Sequence, residues 1–328
     1  MRRLLVASAL VLLAGCTTTA PAGHPAAGRS SAPSSAAASG PARPRHLQVG
    51  AEPWHLPGPL AREAVVPLSR DRVVVAGGLL PGDTSAAATY TLDLTTGQVR
   101  NGPALPVPVH DTAGVLLGGR PLVIGGGNAA EQDVVQARGR HGWQVVSRLP
   151  TARSDLAAVG VGGRVLVIGG YDGVSPAMGP VLASRDGVHW PALGGLPEPV
   201  RYPGVAVADG AVWVFGGEVG GAEVDTVQRL DPATGQARVV GHLPHALGHE
   251  AAVVLGRRIL LVGGRTSATT LTGRMWWFDP TTLRLRPAGR LAHPLADTAV
   301  VQGHLRAWLV GGETPGFSTR VLRVALAG

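Results

Sequence analysis

Six polar residues stand at one position of a recurring unit: Arg62, Asp111, Asp155, Tyr202, His249 and Asp297. Each lies six residues after a leucine (Leu56, Leu105, Leu149, Leu196, Leu243 and Leu291). Glu63, His110, Arg153, Arg201 and Glu250 flank them. Carboxylates set among guanidinium groups offer acceptors and donors together, which suits a polar, hydroxyl-rich or zwitterionic ligand. Crowded carboxylates raise one another's pKa unless cations intervene, and Arg62, Arg153 and Arg201 are placed to intervene. The expected ligand contacts are therefore Arg62, Asp111, Arg153, Asp155, Arg201, Tyr202, His249 and Asp297. As exposed polar groups, Arg62 and Asp155 would cost within about 0.5 kcal/mol of stability on removal. Two other uses stay open. The same residues could supply an acid–base pair, which needs a tuned pKa held at hydrogen-bond distance. They could also serve architecture, satisfying neighbouring backbone and interior water.

His242, His245 and His249, with Glu250, form a second group of interest, because imidazole and carboxylate suit zinc. His242 ends one apolar segment and His249 begins another, so the four are not expected to converge. No metal and no cofactor is expected.

The elements that must hold these residues repeat. An apolar run ending in Gly-Gly recurs six times, closing at Gly78, Gly126, Gly170, Gly217, Gly264 and Gly312, at spacings of 48, 44, 47, 47 and 48 residues. Such periodicity marks a repeat architecture. Within the fourth unit, Tyr202 to Ala208, Ala211 to Phe215, Asp225 to Leu230 and Gln236 to Val240 read as strands. Asp209-Gly210 supplies a two-residue hairpin turn. Asp231-Pro-Ala-Thr-Gly235 makes a second turn, in which an aspartate bonds backbone two residues on. The sixth unit stops after a third strand, Arg320 to Leu326, and His46 to Ala51 supplies the missing fourth. The fold class expected is all-β: a six-bladed propeller of four-stranded antiparallel blades, closed by an N-terminal strand in blade six.

The double glycine with a later aspartate and tryptophan resembles the kelch repeat, and the resemblance covers residues 46–328. Trp143 and Trp190 fit the fourth-strand tryptophan; blades four and five lack it. The resemblance implies that blade-joining loops and those after Gly-Gly surround one mouth of a central channel. Some kelch propellers resemble galactose oxidase, a copper-radical enzyme needing a cysteine cross-linked to tyrosine; no cysteine follows Cys16, which excludes that chemistry. Six-bladed bacterial envelope kelch enzymes that epimerise sialic acid are similar in blade number and imply a carbohydrate-active alternative. Ser184-Arg-Asp186-Gly187-Val-His-Trp190 resembles the Asp-box of sialidases, a structural turn remote from their active sites.

Residues 1–15 read as a signal peptide: Arg2 and Arg3, then eleven apolar residues, far short of the roughly 20 that span a bilayer. Leu13-Ala14-Gly15-Cys16 resembles the lipobox of bacterial lipoproteins, which implies diacylation of Cys16, an anchor in the membrane and a position on the outer face of the cell membrane. Residues 16–45 carry the lipid-bearing cysteine and an Ala/Ser/Pro/Gly-rich tether that cannot bury enough surface to order; its root-mean-square reach is roughly 30 Å. All the basic residues are arginine and they are scattered, which argues for a solvated surface and against nucleic acid. A membrane-anchored monomer that binds an unknown protein or glycan is the leading expectation, and an enzyme the lesser one.

Overall fold

The computed structural model describes residues His46–Ala327, so the expected signal peptide, Cys16 and the expected tether lie outside the described residues. No helix occurs among the described residues; the chain forms six four-stranded antiparallel sheets and three small hairpins. Blade four consists of Gly204–Ala208, Ala211–Phe215, Thr226–Leu230 and Ala237–His242, within a residue or two of the segments read from sequence. Blades one, two, three and five follow the same order. Blade six takes three strands from the C-terminal end and its outermost, His46–Leu60, from the N-terminal end. That closing strand pairs with Ser318–Ala327 from His46–Ala327 to Ala51–Leu322, then continues irregularly to Leu60, longer than the sequence suggests. Each innermost strand touches the next, and blade six meets blade one, so the ring is closed. These residues form one compact unit.

The repeat's sequence grammar has a geometric cause. The second glycine of every pair donates its N–H to a carbonyl of the following blade, four residues after the leucine: Gly78 to Val109, Gly126 to Arg153, Gly170 to Val200, Gly217 to Leu247, Gly264 to Leu295 and Gly312 to Leu60. This stitch runs round the whole ring and closes on blade one. It brings backbone so close that a Cβ on Gly216 would stand 1.9 Å from the carbonyl oxygen of Leu247. Positive φ at both glycines of the pair completes the turn. Apolar side chains of facing sheets fill the seams between blades, with the repeat leucines buried among them.

Antiparallel alternation sorts the connections by end. The first hairpin of each blade and the turn between its third and fourth strands lie at one end, the hairpin end. Links between blades and loops after the double glycine lie at the other, the ring end. Gln136 and Gln228, fully buried in third strands, each clamp the preceding inter-blade link by a paired amide contact, Gln136 to Val107 and Gln228 to Glu198.

Candidate functional site: a polar ring across the channel

The six ring residues enter the innermost strands in an unusual backbone state. All have positive φ, between 49° and 60°, which non-glycine residues seldom adopt. In five of the six the N–H turns toward the previous blade. Asp155 donates to the carbonyl of Asp111, Tyr202 to Asp155, His249 to Tyr202, Asp297 to His249 and Arg62 to Asp297, at 2.9–3.2 Å. The recurrence of polar residues thus has a backbone component. Each must tolerate a left-handed turn, which Asp and His do more readily than branched apolar residues.

Their side chains meet one another. Arg62 lies 3.2 Å from Asp111, 3.9 Å from Asp297 and 2.7 Å from Glu313, and its Nη1 donates to the Tyr202 hydroxyl at 3.2 Å. Arg201 pairs with Glu218 at 2.8 Å and approaches Asp155 at 3.5 Å. Its guanidinium lies over the rings of Tyr171 and Tyr202. Tyr202 stacks on His249 with centroids 3.9 Å apart. His249 is held between carboxylates, Nδ1 at 2.6 Å from Asp297 and Nε2 at 3.4 Å from Glu218. Arg265 reaches Asp297 at 3.2 Å and also pairs with Glu313.

Sequence reasoning missed the second circle in this network: Glu218, Arg265 and Glu313, with Tyr171. Each directly follows a Gly-Gly, and each bridges in backbone to the residue just before a ring residue, as in Arg201 with Glu218 and Ala296 with Glu313. The signal was present as a fixed offset from the glycines.

Arg153 is the one expected contact that the structure places elsewhere. It is buried, and Nη1 donates to the carbonyls of Gly169 and Pro180 inside the propeller. Its carbonyl receives the Gly126 stitch, which fixes the backbone so that the side chain leaves the mouth. Burial lowers its pKa to about 10. His110 stands at the mouth's edge, with Nδ1 at 2.8 Å from Ser85 Oγ and Nε2 at 3.5 Å from Asp111. His242 contacts exposed Asp225 at 3.0 Å, whereas His249 lies in the ring, so the histidine group does not converge. Among the described residues no group of three or more His, Cys, Asp or Glu is arranged to hold a metal ion. In the Asp-box-like segment, Asp186 accepts N–H bonds from Val188 and His189, and buried Trp190 donates to Ser147, a local turn at the hairpin end.

The electrostatics follow the geometry. Burial works against the His249 cation, but the Asp297 charge and the hydrogen bonds that His249 donates to Asp297 and Glu218 lift its pKa to about 9. It is an imidazolium with both N–H groups engaged, not a free base. Burial alone would raise Asp297; His249 and Arg62 overcome it and hold the carboxyl at about 2. Asp155 goes the other way: burial first, then Asp111, push it to about 7. Beneath the ring lies a channel of about 680 Å³, lined by the innermost strands. Glu63 and Glu250, one residue past the ring, are buried with both carboxyl oxygens unpartnered. Burial drives each to about 8, so both are protonated at neutral pH.

A family model described as the Kelch motif matches residues 199–236, most of blade four. The fold is a six-bladed β-propeller, with the Kelch motif matched in one of its six blades. No curated protein matches the chain.

Proposed function

We propose that the propeller is a binding module, held at the outer face of the cell membrane by a lipid on Cys16 and recognising a protein or glycan at its ring end. The observation that carries this reading is the state of the ring's charges. Arg62, Arg201 and Arg265 keep only an edge exposed, with side chains 18%, 23% and 16% accessible, and every one is neutralised by carboxylates that fix its direction. Pre-set donors and acceptors of this kind favour recognition, because little ordering cost remains on binding. The kelch propeller is also commonly a protein-binding scaffold. A panel of secreted proteins and envelope glycans, titrated against the chain and its Arg201→Ala and Arg265→Ala variants, tests it. Binding that survives both substitutions removes the ring end from recognition.

A second reading, a carbohydrate-active enzyme such as an epimerase, rests on one observation: Asp155 is poised near 7, where an acid–base group works best. Asp155→Asn should then abolish turnover of a bound sugar while leaving its affinity nearly intact. The lipid anchor is tested separately, by the mass of the mature N-terminus and by release of the Cys16→Ser protein from membranes.

A further inference from the structure

The two ends of the propeller carry opposite charge. At the hairpin end, arginines crowd the turns: Arg120, Arg138 and Arg140 in blade two, and Arg257, Arg258 and Arg284 in blade five. All six are exposed or half-exposed. Arg70, Arg72, Arg164, Arg185 and Arg306 stand at the same end, so arginines outnumber the carboxylates there. Asp93, Asp186, Asp231 and Asp279 accept N–H bonds of their own turns. Asp71 pairs with Arg306 at 3.1 Å. Asp209 lies in the first hairpin of blade four. The ring end is the reverse. Its peripheral loops place Asp83, Glu131, Asp133, Asp172, Glu223 and Asp225 around the mouth, with Asp133 paired to Arg148 and Asp225 to His242.

The chain enters the propeller at the basic end. His46 is the first residue of the closing strand and pairs with Ala327, and Leu47 pairs with Leu326. Leu326 in turn lies beside Gly256, the residue before Arg257, where a Cβ would stand 3.8 Å from its Cδ1. The entry point and the blade-five arginines are therefore neighbours. Arg258 lies over Trp277, with the guanidinium carbon 5.0 Å from the ring centroid, which fixes one of these charges in place.

We infer that the hairpin end is a docking surface for an anionic phospholipid bilayer, and that it turns the ring end away from the membrane. This rests on the lipid-anchor reading for its location but not for its chemistry. Phosphate diesters of a lipid surface are a flat, extended field of negative charge, which matches arginines spread over separate blades. A compact anion would need them converged. Lipid-phosphate attraction acts within about 10 Å at 0.1 M salt. Only residues 17–45 separate Cys16 from this end.

The experiment uses residues 44–328 without lipid, since this unit closes on itself. The protein is sedimented with vesicles of phosphatidylcholine and with vesicles of equal phosphatidylcholine and phosphatidylglycerol. Binding is expected only to the anionic vesicles, falling steeply as salt is raised. Reversing Arg138, Arg140, Arg257 and Arg258 to Glu should weaken it by about five-fold or more for each arginine. A parallel set of Arg→Gln changes, with melting curves, covers the case of a variant that fails to fold. Equal binding to both vesicles, no binding to either, or unchanged binding by folded variants would each overturn the inference. So would tight binding to soluble polyphosphate with none to anionic vesicles. A mature protein that carries no lipid on Cys16, with vesicle binding by residues 44–328 intact, would instead count against the anchor alone.

Discussion

Arg62 and Tyr202 belong to opposite blades of the ring, one and four, yet Nη1 of the arginine donates to the phenol oxygen at 3.2 Å. The contact crosses the channel axis. It joins a cluster of blades six, one and two, centred on Arg62, to a cluster of blades four and five, where Tyr202 stacks on His249. Six sheets that otherwise touch only their neighbours are thus tied across the middle.

Removing the tie should cost stability, which alters the expectation drawn from an exposed ring. Arg62→Ala leaves Asp111, Asp297 and Glu313 without their shared cation, and a loss of about 3 kcal/mol is expected. Tyr202→Phe removes one hydrogen bond and should cost about 1 kcal/mol. Urea denaturation of both variants measures this. An unchanged midpoint for Arg62→Ala would show that the tie adds nothing to folding.

Stability should fall from mildly acidic to alkaline pH. Glu63 and Glu250 sit near 8 in the folded chain against an ordinary 4.5. From 4.5 to 8 the unfolded chain has lost protons that the folded one keeps, so each added pH unit favours unfolding. His249, raised to about 9, contributes stability in full below its ordinary 6.5 and loses it as pH climbs through 9. Asp297 works at the other limit, stabilising above 3.8 and failing as pH drops through about 2. A melting-temperature maximum near pH 4–5 is expected. Glu63→Gln with Glu250→Gln should flatten the decline between pH 5 and 8. A maximum above pH 7 would contradict these assignments.

Two glycines with positive φ separate backbone strain from close approach. Gly210 has φ 71° and open space around a Cβ position, so Gly210→Ala should cost about 1 kcal/mol. Gly216 has φ 45° and the Leu247 carbonyl 1.9 Å from that position. Gly216→Ala should cost at least about 3 kcal/mol, or prevent folding. Similar melting temperatures for the two would show that the blade-to-blade stitch is soft.

Deleting residues 46–54 strips blade six of the regular stretch of its fourth strand and should unfold the whole ring cooperatively. Deleting residues 17–45 should leave the melting temperature within a few degrees of the parent (about 1 kcal/mol or less). Differential scanning calorimetry distinguishes them, and equal tolerance of both would refute closure by the N-terminal strand.

The blades were legible because strand alternation and double glycines are local and repeated six times. In blade four the boundaries fall within two residues of the structure. The ring was legible as a register position, since a fixed offset from each leucine needs no knowledge of contacts. Burial of the ring was not legible. Charge alone makes Arg153 resemble Arg201, but Arg153 stands four after Leu149, the place that buried Leu60, Val109, Val200, Leu247 and Leu295 hold in the other blades, and it turns into the propeller, while Arg201, five after Leu196, keeps an edge in water. The Arg62–Tyr202 contact spans 140 residues and depends on blade number, which places one opposite the other. Glu218, Arg265 and Glu313 also keep a fixed place, 22 residues after Leu196, Leu243 and Leu291, but only the backbone bridges that bring the start of each post-glycine loop beside the ring show that they join it.

The closing strand also makes the propeller a mechanical element. Any pull on the chain ahead of His46 enters the fold at the end of a strand whose partner is the last strand of the domain. Directed along the strand, that load is shared at once by the ladder from His46–Ala327 to Ala51–Leu322; directed across it, the same pairs separate in succession. Resistance to force is therefore anisotropic. The seam that completes the ring is also the first to feel tension.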